Sequence, residues 1–185
     1  MATKTIIITG LPRSGTTFLF NAVKTILRTV GNTTSQTNKA EEKGGSEIHL
    51  ILLKPFNRDL AHNSDAIFTT VRDIPEIKRS YFNFTGEPLT EEKFKEYKMA
   101  TMKYQLHDKH YHEVNYNNFR NKYGLNNWNN ISEIYLKLKE KFPENFKRQV
   151  PAKEIQQKLA AIRPPLNGVE FDKENYLHYN HITTK

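Results

Sequence analysis

The sequence predicts an α/β fold with a central parallel sheet flanked by helices, and three observations carry that expectation. Ile6 to Thr9, Ile48 to Leu53 and Ala66 to Val71 are short apolar runs rich in β-branched residues, as in strands buried on both faces. Several intervening and later segments carry helix start and stop signals. The two kinds alternate, and alternation implies βαβ units with helices covering both faces of the sheet. The expected architecture is therefore a three-layer sandwich. With no internal repeats and no convincing linker, residues 1 to 185 are expected to form a single domain.

The elements follow in order. Ile6 to Thr9 is the first strand; as an apolar run it is too short for a signal peptide's core and has no small-residue cleavage site after it. The glycine-containing turn Gly10 to Gly15 leads into a helix over Thr16 to Val30, with Phe18, Ala22, Ile26 and Val30 on one side and Gly31 as a stop. Residues 32 to 46, rich in Thr, Asn, Lys, Glu and Gly, read as a mobile surface loop. Lys54-Pro55 closes the second strand and Arg72-Asp73 ends the third. Pro75 suits the first turn of a helix reaching about Phe84. Thr90-Glu91-Glu92 opens another helix, with a hydroxyl cap and acids at the positive end of its dipole. Val114 to Phe119 is a weak fourth strand. Ser132 to Phe142 and Ala152 to Arg163 are two more helices, each stopped by proline.

Composition narrows the chemistry. There is no cysteine, which excludes disulfides and thiolate metal sites. The net charge of +8 favours polyanionic partners, although scattered lysines alone make only a solvated surface. No stretch approaches the roughly 20 apolar residues of a membrane span, so no membrane partner and a cytoplasmic location are expected. No nucleic-acid motif is visible, and the aromatics do not interleave with Lys and Arg. His107, His110 and His112 do not share one helical face and have no obvious carboxylate partner. They read as a solvated helix end, and no metal is expected.

The loop Gly10-Leu11-Pro12-Arg13-Ser14-Gly15-Thr16-Thr17 joins a strand to a helix, where backbone N–H groups and the helix N-terminus cradle an anion. It is close to the nucleotide-binding pattern G-x-x-x-x-G-K-[ST], which makes the expected fold P-loop-type. Thr16, however, stands where the lysine would be. That lysine reaches the β- and γ-phosphates of a nucleoside triphosphate, so its absence argues against an ordinary kinase. The charge sits instead on Arg13, whose guanidinium suits a forked grip on phosphate or sulfate. In such sheets ligands bind at the carboxyl ends of the strands, where this loop, Lys54 and Arg72 are expected to converge.

Pro12-Arg13-Ser14-Gly15-Thr16-Thr17-Phe18 resembles the 5′-phosphosulfate loop of sulfotransferases that use 3′-phosphoadenosine 5′-phosphosulfate (PAPS), in the arginine form of the tyrosylprotein and many bacterial members. Val71-Arg72-Asp73-Ile74-Pro75-Glu76-Ile77-Lys78-Arg79-Ser80 resembles the same family's 3′-phosphate segment. The resemblance implies that Arg72 and Ser80 hold the 3′-phosphate and that Phe18 stacks on adenine. Tyr116, in Val114 to Phe119, would lie near the adenine, although Asn117-Asn118 replaces the family's acidic pair. The bland alternatives are a core Phe18, an Arg72 paired with Asp73 or Glu76, and a solvent-facing Ser80.

The implied activity is transfer of a sulfuryl group from PAPS to a hydroxyl or amine of a small-molecule, carbohydrate or peptide acceptor, releasing adenosine 3′,5′-bisphosphate (PAP) without a metal. Arg13, Ser14, Gly15, Thr16 and Thr17 would hold the 5′-phosphate as charge develops on it. Lys54, where the family often has Lys-Thr-His, would reach the transferring group; its alternative is a strand-end lysine in solvent. Pro55-Phe56 follows it, so the family's histidine base is missing. Glu41, Glu42 and Glu47 are the candidate bases, with His49 and His62 further off. The tail around His181 is similar to the ending of some short sulfotransferases. The alternatives are a small-molecule kinase of the P-loop kind, a PAP-binding protein without catalysis, and a basic nucleic-acid binder.

Overall fold

The computed structural model describes residues 3–37, 47–107, 111–115 and 128–160. Five strands form one all-parallel sheet: β1 (Lys4–Thr9), β2 (Thr34–Thr37), β3 (Ile48–Leu52), β4 (Ala66–Val71) and β5 (Tyr111–Asn115), in the order β2-β3-β1-β4-β5. The helices are α1 (Thr16–Thr29), α2 (Arg58–Asn63), α3 (Ile74–Thr85), α4 (Glu91–Gln105), α5 (Trp128–Lys141) and α6 (Ala152–Ala160), with a 3-10 turn at Pro143–Asn145.

Strand side chains alternate between faces with period two, and here both faces are covered. Ile6 and Ile8 of β1 join Leu50 and Leu52 of β3 and Ala66 and Phe68 of β4 beneath α1, α5 and α6. Ile7, Ile51 and Ile67 point the other way, against Ala61 of α2 and Tyr104 of α4. Each fully buried isoleucine contributes roughly 1.5–3 kcal/mol, which is why a continuous apolar run makes a central strand. The central β1 pairs with β3 on one side, Ile7 opposite Ile51, and with β4 on the other, Ile7 opposite Ile67. A third cluster, Ile77, Leu89 and Phe94 with Leu11, Tyr81 and Tyr97, ties α3 and α4 to the loop after β1.

The expected fold class holds at this level: an α/β architecture whose parallel sheet carries helices on both faces. Three elements differ from expectation. The segment 32 to 46, expected as a surface loop, contains β2, which pairs with β3 from Thr34 opposite Ile48 to Thr37 opposite Ile51. Its polar Thr-Ser-Gln-Thr sequence is ordinary for a short edge strand and leaves no apolar pattern to read. The fourth expected strand lies upstream, at Tyr111–Asn115 instead of 114 to 119, with Tyr111 opposite Ile67 and Asn115 opposite Val71; residues 116 to 119 lie outside the described residues. Helix α2 was not expected, yet Asn57 caps it by accepting from the Leu60 N–H at 3.0 Å. The cap expected at Thr90 is present, its hydroxyl accepting from the Lys93 N–H.

Candidate functional site

At the carboxyl edge of the sheet the chain leaves the buried β1 through Gly10. Its φ is +136°, and a Cβ there would meet Thr69 Oγ1 at 2.9 Å, Thr16 Cγ2 at 3.1 Å and Ser14 Oγ at 3.2 Å. The loop therefore lies flush against β4. Inside it Ser14 Oγ donates to the Leu11 carbonyl at 2.7 Å and is 2.7 Å from Thr70 Oγ1. Gly15, at φ 99°, turns the chain into α1, which begins with no side-chain cap and no acid in its first turn. The positive end of the helix dipole therefore has no carboxylate of its own first turn beside it. Helices α2 and α4, which face no such loop, carry side-chain caps and acids there.

Arg13 is the one non-glycine with positive φ among the described residues, at 64°. A left-handed residue costs roughly 1–2 kcal/mol, and this one is held from several sides. Arg72 NH1 donates to the Arg13 carbonyl at 2.9 Å, Arg13 Nε donates to Ser80 Oγ at 3.2 Å, and the Arg13 guanidinium carbon lies 4.7 Å from the centre of the Phe84 ring. The loop and Arg72 thus come together as expected, and Ser80 joins them, although 59 and 67 residues separate the bonded partners.

Lys54 completes the cluster. Its Nζ donates to the carbonyls of Gly10 and Leu11, each at 3.3 Å, and to Thr16 Oγ1 at 2.5 Å. The alternative of a strand-end lysine in solvent does not hold: the segment after β3 delivers the ammonium onto Thr16, the position where the loop lacks its own lysine. Burial, and then the Arg13 charge beside it, pulls the Lys54 ammonium down to about 7. Such a group gives or takes a proton near neutrality.

Other expected residues fall differently. Phe18 is 2% exposed within the core beneath α1, so adenine stacking is not supported by its placement. Its position on the inward stripe of an amphipathic helix decides that. Arg72, 7% exposed, bonds Glu76 through Nε at 3.0 Å, the ion-pair alternative for this arginine, while also bracing the loop. Ser80 is buried rather than solvent-facing. Pro12 and Thr17 are half-buried in the loop and first helical turn, and the Thr17 carbonyl accepts from Asn21. Tyr116 and His181 lie outside the described residues, as do Glu41 and Glu42.

Three base candidates sit at the wrong end of the sheet. Glu47 precedes β3, where it pairs with Lys147 and accepts from the Thr33 N–H, and Lys147 holds its carboxyl below the usual range. His49 is the second residue of β3, its Nδ1 2.7 Å from Ser35 Oγ. His62 ends α2, just before β4 begins. All strands run parallel, so these positions mark the amino edge, about 15 Å of strand away from the loop. His112 is no helix-end residue either: it sits on β5 with its ring 4.9 Å from that of Phe68. Among the described residues no three His, Asp or Glu side chains form a metal-holding group.

Thr70, Glu76, Leu11 and Phe84 complete the site without having been singled out as binding residues. The i, i+4 spacing from Ser80 to Phe84 was the readable signal for the last. The chain matches no protein-family model and no curated protein. The arrangement itself gathers three cations, a helix N-terminus and several hydroxyls at one carboxyl edge, with Glu76 as the carboxylate bonded into it. No described helix is long and apolar enough to cross a membrane.

Proposed function

We propose that this chain is a P-loop-type sulfotransferase that binds PAPS and transfers its sulfuryl group to a hydroxyl or amine acceptor, leaving PAP. The observation that carries the reading is the meeting of Arg13, Lys54, Arg72 and Ser80 around the Gly10–Thr17 loop. The strand order, with the loop leaving the central strand, supports the P-loop-type assignment.

In this reading the α1 N-terminus and loop N–H groups hold the 5′-phosphate, and Arg13 offsets the charge that develops there as the S–O bond breaks. Lys54 exchanges a loop carbonyl for the oxygens of the transferring group, and the hydroxyls of Ser14 and Thr16 keep the loop closed around it. Arg72 and Ser80 receive the 3′-phosphate, with Arg72 exchanging its bond to Glu76 for the ligand. The acceptor's proton passes to Glu41 or Glu42, the carboxylates that remain of the candidate set. Glu41→Gln and Glu42→Gln are expected to separate them: the base variant binds PAP normally and loses turnover.

Two observations favour a second reading. Lys54 brings its ammonium to the lysine position of a nucleotide-binding loop, and Arg72 is already paired with Glu76. Both suit a nucleotide without a 3′-phosphate, as in a small-molecule kinase. Thermal unfolding with PAP, ADP and 5′-AMP decides between them. A ligand at about 100 times its Kd adds roughly 2.7 kcal/mol to stability. Stabilisation by PAP above that by ADP or AMP is expected. Stabilisation by ADP with Mg²⁺ and none by PAP would overturn the sulfotransferase reading in favour of the kinase.

A further inference from the structure

Helix α3 touches the loop arginine twice along one stripe. Ser80 and Phe84 are four residues apart, so their side chains follow one another on the same face. Ser80 Oγ accepts from Arg13 Nε at 3.2 Å, and the Phe84 ring lies 4.7 Å from the Arg13 guanidinium carbon. Ser80 is buried, whereas Phe84 is 38% exposed. At the other end of the residue Arg72 NH1 holds the Arg13 carbonyl at 2.9 Å. The backbone of Arg13 is thus pinned at a left-handed φ, its guanidinium carbon lies over the Phe84 ring, and its Nε donates to Ser80.

A guanidinium donates in its plane and stacks through its face, so ring contact and anion binding use different parts of the group. Stacking also removes rotamer freedom before a ligand arrives, and that freedom is otherwise lost on binding. We propose that Phe84, together with Ser80, is a positioning residue that presets the Arg13 guanidinium for the anionic group of the ligand. The proposal rests on the reading of the Gly10–Thr17 loop as an anion site. It does not depend on whether that anion belongs to PAPS. The kind of ligand it fits is a phosphorylated or sulfated one whose charged oxygens enter between the loop and α3.

The test is a double-mutant cycle on the full chain, with Phe84→Leu, Arg13→Ala and the double variant, plus Phe84→Trp as the conservative replacement. PAP affinity is read by calorimetry and folding by thermal melt. Phe84→Leu is expected to weaken PAP about three- to ten-fold, the range of a partly exposed cation–π contact, while Phe84→Trp retains wild-type affinity. In the Arg13→Ala background Phe84→Leu is expected to change nothing further. Equal losses in both backgrounds, or no loss in the wild-type background, would overturn the proposal. If PAP does not bind the wild type, the same cycle is run with inorganic pyrophosphate. A Phe84 effect that depends on Arg13 then upholds the positioning role while the PAPS reading falls, and failure of both probes to bind overturns both.

Discussion

Replacing Gly10 by alanine is the sharpest probe of how the loop is seated. The φ of +136° lies where L-residues are strained, at roughly 1–3 kcal/mol. The added methyl would also meet three groups that cannot yield independently. Thr69 Oγ1, 2.9 Å away, donates to the Thr9 carbonyl; Ser14 Oγ is fixed between the Leu11 carbonyl and Thr70; and the Thr16 side chain accepts from Lys54. Crowding of that kind adds roughly 1–3 kcal/mol, for a total of about 2–6 kcal/mol. Gly86 is the control: its φ is +75° but a Cβ there meets nothing within 4 Å, so Gly86→Ala carries the backbone cost alone, about 1–2 kcal/mol. For a chain of this length Gly10→Ala is expected to lower Tm by roughly 4–24 °C and Gly86→Ala by roughly 2–8 °C. PAP is expected to stabilise Gly86→Ala as it does the wild type and to leave Gly10→Ala unshifted. Equal melting temperatures for the two variants, or full PAP stabilisation of Gly10→Ala, would show that the loop is not packed as argued.

Four further outcomes follow from the structure. Lys54 has a folded-state value of about 7 against the ordinary 10.5, so between those pH values the unfolded chain binds more protons and stability rises with pH. Lys24, pulled to about 8 by burial and then by Arg28, adds to that rise, so Lys54→Met is expected to reduce the slope measured by denaturant titration without abolishing it. An anion beside Lys54 favours the ammonium. PAP binding is therefore expected to take up a proton above pH 7 and to weaken as pH rises, as calorimetry in buffers of different ionisation enthalpy would reveal. Glu76→Gln removes the carboxylate that competes for Arg72 and is expected to tighten PAP binding several-fold in a binding titration, with a stability loss of about 1 kcal/mol. Asn32→Ala breaks a buried exchange in which Asn32 donates to the carbonyls of Leu27 and Asn145 and accepts from the Asn145 amide. The expected loss is about 2–4 kcal/mol by chemical denaturation, with PAP binding retained.

Sequence alone determined the elements whose signals are local. Ile6 to Ile8 and Ala66 to Thr70 are continuous apolar or β-branched runs, and Ile48 to Leu52 is one broken only by His49, because a strand buried on both faces has little polar side to show. Pro75 and Thr90 mark helix starts through fixed backbone geometry and a single hydroxyl bond, which neighbours in the chain suffice to define. The loop with Arg13 was legible for the same reason: strand, glycine turn and helix follow one another directly. Only the tertiary structure decided what depends on partners distant in sequence. Strand β2 forms because β3 offers it a ladder, and its own residues carry no hydrophobic pattern. Phe18 is claimed by the core because α1 presents that stripe to the sheet. Lys54 reaches Thr16 because β3 lies beside β1, while Glu47, His49 and His62 are carried to the opposite edge by the common direction of the strands. Which face of α3 meets Arg13 was likewise set by packing, through the Ile77, Leu89 and Phe94 cluster that seats α3 and α4 against Leu11. Local chemistry chose the residues able to hold an anion, and the parallel sheet chose which of them stand together.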